Sequence, residues 1–145
     1  MLRKRPFGVT LLLLMVLSLL AWGVLRLYAT LHWWTILVEF RSTVSPLYLS
    51  ITGAGWDVVG CVLLWSMFAG KPWSPRAILT SILVWLLEYW LERVFYETAR
   101  ANLSFTVVGS ILIIGITLIS TLHKSTKNFF TRSEEYEQLN KNPGA

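Results

Sequence analysis

Apolar residues fall into four blocks separated by short polar interruptions, over residues 7–28, 46–69, 75–96 and 104–122. Each block is close to the ~20 residues that a helix needs to cross ~30 Å of hydrocarbon. Backbone amides facing lipid must find partners within their own segment, and a helix meets that requirement. The pattern predicts an all-α, integral membrane four-helix transmembrane bundle, up-down-up-down, filling residues 1–123. Residues 124–145 form a cytoplasmic tail that hugs the surface around Phe129 and Phe130 and becomes partly disordered toward Asn142, Pro143 and Gly144.

Local signals support two of these boundaries. Ser45-Pro46 and Ser74-Pro75 each set an N-cap residue before a proline at the first helical position. Trp33, Trp34, Tyr48, Trp90, Phe95 and Tyr96 gather where the outer interface should fall, and Trp73 marks the inner turn. The apolar stretch 32–40 is too short to span and is closed by Glu39 and Arg41, so it is expected along the outer surface, with an extension of the first helix as the alternative. Residues 1–29 open like a secretory signal, but the apolar core from Phe7 to Leu25 exceeds the usual ~7–15 residues and no small-residue cleavage site follows it. A retained first helix is expected.

Charge orients the blocks. Arg3, Lys4 and Arg5 precede the first, Lys71 and Arg76 lie between the second and third, and Lys124, Lys127, Arg132 and Lys141 follow the fourth. The other side holds Arg41 and Arg100, with Arg26 and Arg93 near helix ends facing it. Positive charge concentrates on cytoplasmic connections, so both termini are placed inside. Across 145 residues, 54% are hydrophobic and 14% charged, against about 25% charged in soluble domains. The net charge of +5 flanks the apolar blocks and forms no stripe, which points to anionic lipid headgroups and away from nucleic acid. Cys61 is the single cysteine, read as a small packing residue.

Ionisable groups inside a span are costly and serve as default functional candidates. Asp57 lies near the middle of the second block, with Gly53 four residues before it and Cys61 four after. At 100° per residue, Ser81, Trp85, Glu88, Glu92 and Tyr96 share one face of the third block. The helical rise puts Glu88 about 20 Å from the cytoplasmic start of that block and Glu92 about 6 Å farther out. Arg26 reaches the depth of Glu92 and is its expected partner, whereas Asp57 and Glu88 have no evident cation at their own depth. These residues outline an outward-opening polar pocket of Asp57, Glu88, Glu92, Arg26 and Arg93, walled by Trp56, Trp85 and Tyr89. The structural alternative is that they hydrogen-bond across helices and hold the bundle together. Gly53, Gly60, Gly109 and Gly115 permit close helix approach.

Gly53, Gly55 and Gly60 lack the spacing and the preceding strand of a nucleotide loop. His32 and His123 lie at opposite faces, and no metal-ligand cluster, cofactor motif or Ser-His-Asp set can be assembled. Asn102-Leu103-Ser104 is a formal glycosylation sequon best explained by chance.

The segments Val44-Ser45-Pro46-Leu47-Tyr48-Leu49, Gly53 with Trp56 and Gly60, Leu64-Trp65, Gly70-Lys71-Pro72-Trp73, Pro75-Arg76, Tyr89-Trp90 with Arg93, and Phe129-Phe130 resemble those of a group of small, uncharacterised four-span bacterial membrane proteins. That resemblance implies a bacterial inner-membrane location and carries no activity. Small multidrug transporters are similar only in size and span count, since their working glutamate lies in the first helix, where this chain has Arg26. The expected function is non-enzymatic: helix packing in the bilayer, as a homo-oligomer or as an accessory subunit of a membrane complex. A small proton-coupled transporter or channel using Asp57 and Glu88 is the alternative, and a lipid-acting membrane enzyme ranks third.

Overall fold

The computed structural model describes residues 6–39, 44–96 and 102–131. Arg3, Lys4, Arg5, Arg41, Arg100, Arg132, Lys141 and the tail from 132 onward lie outside them. The regular structure among the described residues is all helical, in the order α1 (Phe7–His32), α2 (Trp34–Glu39), α3 (Pro46–Phe68), α4 (Ser74–Tyr96) and α5 (Leu103–Leu122), with a terminal helical segment over 124–131. Three of them, α1, α3 and α5, are long and apolar enough to cross a membrane. α4 coincides with the third predicted block and has 23 residues, but it is not among the three, because Arg76, Glu88, Glu92 and Arg93 lower its hydropathy.

α1 touches every other labelled helix, and its longest interface is with α3. Its buried positions, Val9, Leu12, Val16, Leu19, Gly23 and Thr30, follow a spacing of three and four residues, and so do Gly53, Trp56, Gly60 and Leu63 on α3. That is the seam of a left-handed helix pair. Glycines bring the two backbones together: a Cβ on Gly53 would lie 3.1 Å from the Leu27 nitrogen, and one on Gly60 2.8 Å from Leu20 Cδ1. Leu27 opposite Gly53 and Leu20 opposite Gly60 mean that α1 and α3 run in opposite senses. Ile78, Ile82 and Leu86 of α4 close the core, together with Phe130 of the terminal segment.

Two connections differ from expectation in detail. α1 continues four residues past its predicted end, and a single turn residue, Trp33, separates it from α2, so residues 34–39 form a short helix of their own touching α1 and α3. The α3–α4 turn is closed by a Schellman motif: Lys71 N–H donates to Ser66 O at 3.0 Å, Gly70 N–H donates to Met67 O at 3.2 Å, and Gly70 has φ 65°. Only glycine takes that conformation without strain. Ser45 occupies the N-cap of α3 with Pro46 as the first helical residue, as expected, though its side chain makes no capping hydrogen bond. Ser74 is a correction: it is the first residue of α4 itself, buried with no partner for Oγ.

At Gly109 and Gly115 a Cβ would meet nothing within 4 Å, so neither lies in a seam between the described helices. Cys61 is exposed and does not serve the packing expected of it. At the start of the tail, Phe130 and Thr126 are buried against the helices.

Candidate functional site

The site forms where α1, α3 and α4 meet toward the His32 end of α1. Arg26 falls between Gly23 and Thr30 in the seam of α1, which turns its long side chain inward, and 9% of that side chain is exposed. Its guanidinium forks onto Glu92 of α4: Nη1 donates to Oε2 at 3.0 Å and Nη2 donates to Oε1. Paired N–H donors on one carboxylate add fixed geometry to the charge attraction. Trp22, one turn earlier on α1, lies under the guanidinium at 4.8 Å, and the Tyr48 ring of α3 at 5.8 Å. Both aromatic faces favour a partly desolvated cation. Tyr48 also sets its hydroxyl beside Glu92.

Glu88 lies one turn below Glu92. Trp56 of α3 donates its indole N–H to Glu88 Oε2, while Oε1 has no hydrogen bond and stands 4.0 Å from Arg26 Nη2. The expectation that Glu88 lacks a cation at its depth is therefore corrected. An arginine side chain reaches across about one helical turn, so one guanidinium serves two carboxylates.

The remaining residues lie around this cluster. Arg93 is buried on the side of α4 that faces α5, donating to Tyr89 Oη at 2.8 Å and to Thr106 Oγ1 at 3.0 Å. Nearby, Trp90 donates to Ser110 Oγ at 3.2 Å. Tyr89 stacks on Trp85 at 6.1 Å, and Trp85 meets Trp22 edge-on at 5.6 Å with its own Nε1 buried and unpartnered. Asp57 faces α1 across from Gly23, where any Cβ would collide with its Oδ1, and that oxygen is buried without a hydrogen-bond partner among the described residues. The expected pocket residues thus fall into an Arg26–Glu88–Glu92–Trp56 cluster, an Arg93–Tyr89–Thr106 cluster joined to it through the Trp22 and Trp85 rings, and Asp57 in the α1–α3 seam.

Trp22, Tyr48, Gly23 and Thr106 were not among the predicted residues. Trp22 carried a signal, standing four residues before Arg26 on one helix face. Below the arginine cluster, a cleft of about 430 Å³ opens between α1, α4 and α5, and its walls are apolar apart from Ser18, with Trp22 and Trp85 at one end. Among the described residues, no group of three His, Cys, Asp or Glu side chains is placed to hold a metal ion.

No protein-family model, curated protein or solved structure matches the chain.

Proposed function

We propose that the chain is a non-enzymatic four-span protein of the bacterial inner membrane, with both ends cytoplasmic, that works by helix packing as a homo-oligomer or as an accessory subunit of a membrane complex. The observation that carries this reading is how the intramembrane charges are used. Arg26, Glu88 and Glu92 bond to one another and to Trp56 across three helices, and the adjoining cleft is apolar. Such groups hold helices together and leave little polarity for a permeating solute.

The same pattern supports α4 as the fourth span. Glu88, Glu92 and Arg93 point inward, with only Arg76 exposed at the start of α4, while Leu83, Val84, Leu87, Leu91 and Val94 supply an exposed apolar side for lipid. Arg93 to Thr106 together with Trp90 to Ser110 runs α4 antiparallel to α5, and the tight turn at Gly70 together with Trp56 to Glu88 runs it antiparallel to α3, in keeping with an up-down-up-down course. The vacant surface at Gly109 and Gly115 is where a further helix could approach α5 closely.

Crosslinking in native membranes followed by native mass spectrometry in mild detergent tests the reading. A dimer, a larger oligomer or one defined co-purifying membrane protein is expected; a strict monomer without a partner would remove its basis. Asp57 favours a second reading, a proton-coupled transporter, because a carboxylate oxygen buried without a partner is costly unless it is used. Proton flux into liposomes should then fall with Asp57→Asn and Glu88→Gln, and equal flux in wild type and both variants would end that alternative.

A further inference from the structure

We propose that the cleft between the start of α1 and the end of α5 binds one anionic phospholipid of the cytoplasmic leaflet, with an acyl chain in the cleft and the phosphate at its basic rim. The proposal rests on the membrane topology given above. The cleft encloses about 270 Å³, below the ~300–1,000 Å³ typical of whole small-molecule sites, and so suits part of a chain lying along the helices. Along the helices, Leu11 and Ile119 make its deeper part apolar, with buried Ser120 beside them, and His123 and Ser125 make its outer end polar, next to exposed Phe7. That gradient matches the order of a phospholipid, tail inward and headgroup outward.

The rim is fixed in place. Thr126 is fully buried over Gly8, where any Cβ would meet its hydroxyl, and Phe130 reaches the core at 2% exposure. The terminal helical segment is therefore seated on α1 and holds exposed Lys124 and Lys127 beside the mouth. Ser125 N–H donates to His123 Nδ1 at 3.3 Å, which leaves Nε2 as the ring nitrogen that can face a phosphate oxygen. Charge complementarity selects the occupant: at this end, residues 6–13, 69–77 and 118–131 contain Lys71, Arg76, Lys124 and Lys127 and no acidic residue, the first being Glu134. A zwitterionic headgroup would gain far less from that surface.

The test uses the full chain in detergent micelles, with phosphatidylglycerol and phosphatidylcholine of matched acyl chains added in equal amounts and retained lipid read by native mass spectrometry. Wild type should keep one phosphatidylglycerol per chain in preference to phosphatidylcholine. Lys124→Gln with Lys127→Gln should cut that preference roughly fivefold per lysine, the factor equivalent to ~1 kcal/mol for a basic side chain at an anionic surface. Ile119→Trp, at a position 69% exposed, should fill the cleft and lower retention of both lipids. Equal retention by wild type, an unchanged preference in the lysine variant, or displacement of the lipid by excess glycerol phosphate would each overturn the proposal. Micelles have no sides, so its failure leaves the topology standing, and a failed topology would leave the lipid preference intact.

Discussion

Arg26 is the residue on which the interior turns. Removing one partner from a partly buried ion pair leaves the other charge uncompensated, at a cost of about 3–5 kcal/mol. Arg26→Met should therefore destabilise the protein by about 3 kcal/mol in reversible detergent unfolding, whereas Arg26→Met combined with Glu92→Met should recover most of the loss. Additive effects in that double-mutant cycle would show that the fork does not couple α1 to α4. The Arg26–Glu92 pair was legible in the sequence because helical rise alone places both side chains at one depth. The Trp56–Glu88 bond was not, since it depends on the rotation of α3 against α4. Arg93 was misplaced for a related reason: it adjoins Glu92 in sequence, but successive residues on a helix point about 100° apart, and the polar Thr106 and Ser110 face of α5 receives it.

At the scale of the element, lipid conceals the signal that water would reveal. A helix apolar on every side shows little amphipathic contrast, so the three-and-four spacing along α1 and α3 was invisible until burial picked it out. Gly53 and Gly60 were recognised by residue type, but so were Gly109 and Gly115, which no side chain among the described residues approaches. Composition cannot separate a glycine in a seam from one on an open face. Gly23→Leu should force α1 from α3 and cost roughly 1–3 kcal/mol, while Gly109→Ala should be neutral or stabilising by up to ~1 kcal/mol in the isolated chain. Thermal unfolding in detergent compares them, and a stable Gly23→Leu protein would contradict the packing. If α5 docks on a further helix, Gly109→Leu should abolish crosslinking while leaving the unfolding of the isolated chain unchanged.

For the whole molecule, the fourth span is the decisive question, because α4 alone is too polar to rank with α1, α3 and α5. In a protein whose Cys61 is replaced by alanine, Asn102→Cys should react with an impermeant maleimide in intact cells, and Trp73→Cys only after permeabilisation. Labelling of both from outside, or of neither, would mean that α4 does not cross. The helical class and element boundaries were readable because hydrocarbon thickness sets block length directly, whereas the relative rotation of the helices rests on a few polar contacts with no periodic trace. The three-helix origin of the arginine cluster also has a bearing on biogenesis. The cation belongs to α1, and the carboxylates that require it emerge some sixty residues later. The ribosome therefore delivers the host before the guest, so α1 and α3 would have to linger beside the insertion machinery until α4 arrives, and swapping their order in the gene should stall assembly even with every contact preserved.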